Sequence, residues 1–110
     1  NEGPFAFYHN NELYLAYSGS GSWDIGYCIA FLKLTGNDPL DANNWYKFDK
    51  PVLSCNDIVK GAGHCSIIDD NGKKLVFFHG WDVNCETIMW NTVDTWVGEL
   101  IFDGDEIIIK

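Results

Sequence analysis

Apolar residues fall in short aromatic and β-branched runs separated by polar turn clusters, the pattern of strands joined by turns. Phe5 to His9 and Leu13 to Ser18 are aromatic and β-rich, and Asn10-Asn11-Glu12 between them supplies turn chemistry, so the pair reads as a hairpin. Tyr27 to Leu34 is a third strand, entered from the flexible loop Ser18-Gly19-Ser20-Gly21-Ser22. Gly36 to Asn44 is polar, with Pro39 and Asp41 as turn formers, and Pro51-Val52-Leu53 leads into a second irregular stretch. His64 to Asp69 and Lys74 to His79 flank Asp70-Asn71-Gly72-Lys73, the clearest hairpin of the chain. A last pair, Trp96 to Phe102 and Glu106 to Ile109, is joined by Asp103-Gly104-Asp105.

No segment sustains a helical period over three turns, and Thr92 to Val97 has room for one turn at most. The pattern therefore predicts an all-β chain. Short antiparallel meanders separated by longer polar loops suit propeller blades and also sandwiches, and periodicity does not choose between them. Hairpin units begin at Phe5 and His64, about sixty residues apart, a weak repeat of the kind successive blades produce.

Composition narrows the choice of partner. The 110 residues are 46% hydrophobic, enough for one small domain spanning 1–110. Five Trp, five Tyr and seven Phe exceed what so small a core needs, so some are free to stack a ring-shaped ligand such as a sugar. A net charge of −9, with seven Lys and no Arg, repels phosphate backbones and anionic membranes, which argues against nucleic acid and membrane partners. The apolar runs, such as Leu75 to Phe78, are too short to span a bilayer. The chain begins at Asn1 without Met, which predicts a processed protein or a piece of a longer one and leaves its compartment open, with a lean toward secretion.

Cys28, Cys55, Cys65 and Cys85 would permit two disulfides, and their spacing fits no common zinc pattern. Cys28 and Cys65 sit beside apolar neighbours, so we read the four as free, packed thiols in preference to bridges.

Several motifs in one order add a resemblance. Glu2-Gly3-Pro4-Phe5, the Asn-rich turn and Leu13-Tyr14-Leu15-Ala16-Tyr17-Ser18 resemble the segment that carries the general acid in glycoside hydrolase family 43. Asp38-Pro39-Leu40-Asp41 to Asn44-Trp45-Tyr46-Lys47, then Pro51-Val52-Leu53, is similar to that family's "DPLD…W.K…PVF" connection. Gly61-Ala62-Gly63-His64 resembles its "GPGH" turn, with Ala62 in place of the usual proline and Cys65 where Asn is frequent, and Leu75 to Gly80 falls where the family has its "W.VYHA" strand. The likeness covers roughly residues 1 to 82.

The resemblance implies part of a five-bladed β-propeller, about two to three blades from the C-terminal portion of a catalytic domain. It also implies an inverting hydrolase acting on arabinofuranosyl or xylosyl linkages of plant cell-wall polysaccharides, with an oligo- or polysaccharide as its partner. Glu2 takes the general-acid role by this likeness. The departing sugar oxygen must be protonated as its bond breaks, while a base carboxylate about 6.5 to 9.5 Å away activates water. In the family that base and a third, tuning carboxylate are Asp residues on blades that precede the acid, so they are expected outside this chain. Asp24, Asp57, Asp69 and Asp70 are candidates by residue type alone.

By the same likeness His64 faces the active centre and touches a bound calcium or its waters, although an imidazole is an unusual ligand for a hard cation. A hydrogen-bonded structural histidine is the alternative. Trp23 reads either as a loop anchor or as a platform for a sugar ring, and His79 and Trp81 as packing or supporting residues. The isolated chain is expected to be inactive, and its open blade edges are expected to self-associate. The competing reading is a non-catalytic carbohydrate-binding β module.

Overall fold

The computed structural model describes residues 1–110. Eight strands follow in chain order: β1 (Glu2–His9), β2 (Glu12–Gly19), β3 (Cys28–Leu34), β4 (Trp45–Lys47), β5 (Val59–Asp70), β6 (Lys73–Asp82), β7 (Asp94–Asp103) and β8 (Glu106–Ile109). They form two four-stranded antiparallel meanders, β1-β2-β3-β4 and β5-β6-β7-β8. Four strands in up-and-down order make a propeller blade, so the chain is all-β and folds as two blades of a partial propeller. No helix is long and apolar enough to cross a membrane.

The local chemistry explains the turns. A two-residue hairpin matches the right-handed twist of its strands only when both central residues take positive φ. Asn10 and Asn11 do so at 50° and 62°, and Asn71 and Gly72 at 49° and 83°. Along β2, Tyr14, Ala16 and Ser18 are buried while Leu13, Leu15 and Tyr17 stay half-buried, the alternation expected of a sheet packed on one face. Phe7 opposes Tyr14 and Ala16 opposes Phe31 across the strands of the first blade. These side chains join Val59, Ile67, Val76 and Phe78 of the second blade in one core cluster. Each large apolar side chain buried there contributes roughly 1.5–3 kcal/mol, so the blades are held mainly by this shared seam.

The two ends of the seam differ. At the hairpin end, His9 stacks on Phe102 with ring centres 3.6 Å apart, and Tyr14 meets Phe102 edge-on. At the other end lie the long loops 20–27 and 83–93, while loop 48–58 runs from beside Tyr14 toward them. The middle loop ties the blades together: the Ile29 amide donates to the Leu53 carbonyl (2.7 Å), and the Ala62 amide to that of Ser54 (3.1 Å).

Three local expectations change. Gly61-Ala62-Gly63 is not a turn but lies inside β5, where the pairing with β6 slips between Lys60 and Gly63 and again between Gly63 and Ser66. Such bulges leave residues unpaired and bend the strand without ending it, which in sequence looks like a break. The single helical turn expected within Thr92 to Val97 is a 3-10 turn at Trp90–Thr92, because Val93 is already extended and β7 begins at Asp94. The three-residue strand β4 was too short to announce itself.

Candidate active site

Glu2 opens β1 opposite Ser18, and the register then slips before Phe5 is reached. Gly3 supplies that slip with a φ of 59°, a conformation glycine adopts without steric cost. The bulge brings the Glu2 carboxyl to Tyr27, whose phenol donates to Oε1 at 2.7 Å. Tyr27 itself is fully buried, although its loop is polar and glycine-rich. A Cβ on Gly63 would stand 2.0 Å from the Tyr27 ring, so the glycine of β5 is what admits the ring.

His64 follows directly. Its amide donates to the hydroxyl of the fully buried Ser18 at 2.6 Å, which binds the second blade to the first beside Glu2. Its φ is +53°, a left-handed conformation that costs a non-glycine residue about 1–2 kcal/mol, so the surrounding contacts must hold it. A Cβ on Gly3 would lie 3.1 Å from the His64 ring, which places the imidazole against the backbone next to Glu2. His79 stacks on Tyr27 at 5.5 Å and on His64 at 6.2 Å, and Trp90 meets His79 edge-on at 5.7 Å.

The electrostatics follow from this packing. Burial, opposed by the Ser18 hydroxyl and helped by the Glu2 carboxylate, pushes the Tyr27 phenol up to about 12, so it remains a donor at any ordinary pH. Burial also holds the His79 imidazole below its usual range, with His64 adding to the effect and Glu2 opposing it. Its Nδ1 is enclosed and has no hydrogen-bond partner. Glu2 and His64 remain exposed. The arrangement is a carboxyl with one oxygen held by a permanent donor and its flank open to a ligand, beside an imidazole.

Comparison with known proteins decides the relationship. No protein-family model matches the chain. An extracellular exo-α-(1→5)-L-arabinofuranosidase of Streptomyces chartreusis is 35% identical over 83 residues, covering 72% of this chain and 25% of that protein. A crystal structure of a thermostable family-43 glycoside hydrolase superposes on the whole chain with a TM-score of 0.81 at 24% identity, over 35% of its own length. The chain has the fold of a family-43 glycoside hydrolase. The α-L-arabinofuranosidase of Lactobacillus brevis gives a TM-score of 0.80 at 24% identity, covering 99% of this chain and 35% of that structure. The chain thus spans about a quarter of its curated relative and about a third of the solved ones.

Within this family-43 fold the two residues singled out by motif, Glu2 and His64, share one corner, bridged by Gly3, Ser18 and Tyr27. Trp23 lies on loop 20–27 at the same end, 75% exposed, with one face of its indole against Gly21. Among the aspartates named by type, Asp24 caps its own loop by accepting the Gly26 amide and Asp69 pairs with Lys74 at the hairpin end. None of the contacts at Glu2 is to a second carboxylate. Three participants went unrecognised in the sequence: Tyr27, Ser18 and Trp90. A usable signal for Tyr27 was present, since a glycine such as Gly63 inside a strand marks a place where something approaches the backbone closely.

The calcium implied at His64 would draw on backbone carbonyls and waters, not on a side-chain cluster of this chain. A hard cation takes six to eight oxygens, and no three His, Cys, Asp or Glu side chains converge in this chain to hold an ion. The four cysteines are free thiols, but only Cys65 is buried, and Cys55 is exposed where a packed thiol was expected.

Proposed function

We propose that this chain carries the general-acid half of an inverting glycoside hydrolase that acts on arabinofuranosyl or xylosyl linkages. The observation that supports the reading is the Tyr27 phenol on Glu2 Oε1 beside His64, at the position where the family motif puts the acid. The held oxygen fixes the carboxyl plane, and Oε2 is left to deliver a proton to the departing sugar oxygen. A base carboxylate on the opposite side of the ring, about 6.5 to 9.5 Å away, would activate the water. A general acid also needs desolvation or a neighbouring carboxylate, and Glu2 is exposed, so substrate or further chain must cover it. The substrate class rests on the names of the relatives, an α-(1→5)-L-arabinofuranosidase among them. An uncharged pentose polymer also suits a chain of charge −9.

Exposed indoles at Trp23 and Trp90 favour a second reading, retention of sugar without cleavage. Both readings predict retention, and only the first predicts that any turnover depends on Glu2. Aryl α-L-arabinofuranoside and aryl β-D-xyloside are offered to the 110-residue chain and to Glu2→Gln, with retention on arabinan followed in parallel. We expect retention and no release of pentose above background. Turnover abolished by Glu2→Gln would keep the acid and overturn the absence of a base. Turnover untouched by that change, or no retention at all, would overturn the proposal.

A further inference from the structure

We infer that Trp90 is the stacking platform for a pentose ring adjoining the bond held at Glu2, a role the motif residues do not include. The inference rests on the glycosidase reading above and deepens it. Trp90 is 59% exposed, yet its loop is pinned at both ends. Lys60 donates its ammonium to the carbonyls of Val83 (3.1 Å) and Cys85 (2.7 Å), and the buried Trp81 donates its indole N–H to that of Met89 (3.0 Å). Thr92 closes the turn itself: its hydroxyl donates to the Thr87 carbonyl at 2.6 Å and accepts the Met89 amide at 3.2 Å. A large apolar ring is thus kept in solvent by a fixed backbone.

Its position supplies the ligand. The edge-on contact with His79 sets the indole at the rim of the cluster, two aromatic contacts from the phenol that holds Glu2. An exposed indole face offers its negative quadrupole to the weakly positive C–H edge of an uncharged sugar ring. The acidic charge of the chain disfavours anionic ligands at the same surface. Trp23, by contrast, leans on its own Gly21.

The test follows the five indole N–H signals by two-dimensional NMR while arabinotriose or xylotriose is added to the chain, and repeats the titration with Trp90→Ala, Trp90→Phe and Trp23→Ala. We expect the Trp90 signal to shift, affinity to fall about tenfold in Trp90→Ala, and Trp90→Phe to recover part of it. Matching unfolding midpoints for wild type and Trp90→Ala would assign the loss to the ring and not to misfolding. Binding unchanged in Trp90→Ala, a loss confined to Trp23→Ala, or no indole shift with either sugar would overturn the inference. The glycosidase reading fails separately, by turnover that Glu2→Gln leaves untouched in the aryl glycoside assay.

Discussion

Gly63→Ala isolates the contact on which the geometry of the Glu2 carboxyl depends. The added Cβ would lie 2.0 Å from Cε1 and 2.3 Å from Cδ1 of Tyr27, against an ordinary contact of 3.4–4 Å. The ring must retreat by more than an ångström. It has little room, since Tyr27 is fully buried and stacked on His79. The φ of Gly63 lies outside the left-handed region, so an alanine is excluded by the ring and not by its own backbone. Overpacking of this kind costs typically 1–3 kcal/mol, and a clash this deep belongs at the upper end, about 3 kcal/mol. For a chain of this size that corresponds to a fall in Tm of roughly 15 °C. Thermal and urea unfolding followed by tryptophan fluorescence measure it, and Tyr27→Ala supplies the control. In that background the obstacle is gone, so Gly63→Ala should add less than about 1 kcal/mol, a coupling that a double-mutant cycle reads directly. A variant within about 0.5 kcal/mol of wild type, or a penalty that persists without the tyrosine, would refute the reasoning.

Two further outcomes follow from buried titratable groups. His79 is held below its usual range, so the unfolded chain binds the proton more readily than the native one. Stability is then complete above pH 6.5 and declines as pH falls through the native value; His79→Gln should flatten the unfolding midpoint between pH 7.5 and 5.5. Burial raises the Cys65 thiol to about 11, so Cys65 should resist an aromatic disulfide reagent at pH 8 until the chain unfolds, while the exposed Cys55 reacts at once. Four thiols counted in denaturant would agree with free cysteines, and fewer would refute them.

Much of the fold was legible because its signals are local. Asn10-Asn11 and Asn71-Gly72 announce turns by backbone preference, and the strands around them alternate by burial, so both hairpins were found within a few residues. What failed was local in appearance only. Gly61-Ala62-Gly63 looks like a turn because glycine usually marks one, yet here each glycine makes space for a ring from elsewhere: Trp81 against Gly61, Tyr27 against Gly63. Glu2 and His64 were readable as motif positions. Their physical connection was not, because it runs through Ser18 and Tyr27, which stand 46 and 25 residues from the partners they bond.

That connection also explains why the site lies where it does. Glu2, Gly3, Ser18 and Tyr27 belong to the first blade, whereas Gly63, His64 and His79 belong to the second. Neither blade alone fixes the carboxyl: the first supplies the phenol, and the second supplies the missing Cβ that lets the phenol reach it. The strained backbone at His64 is held by an amide donated across the same seam. Hydrophobic burial at Phe31, Val76 and their neighbours closes the blades, and that closure brings a carboxyl, a phenol donor and an imidazole together. Loosening the seam should therefore release Glu2 from Tyr27 before the individual hairpins unfold, because each hairpin keeps its own ladder and turn while the phenol loses the glycine-lined space that positions it.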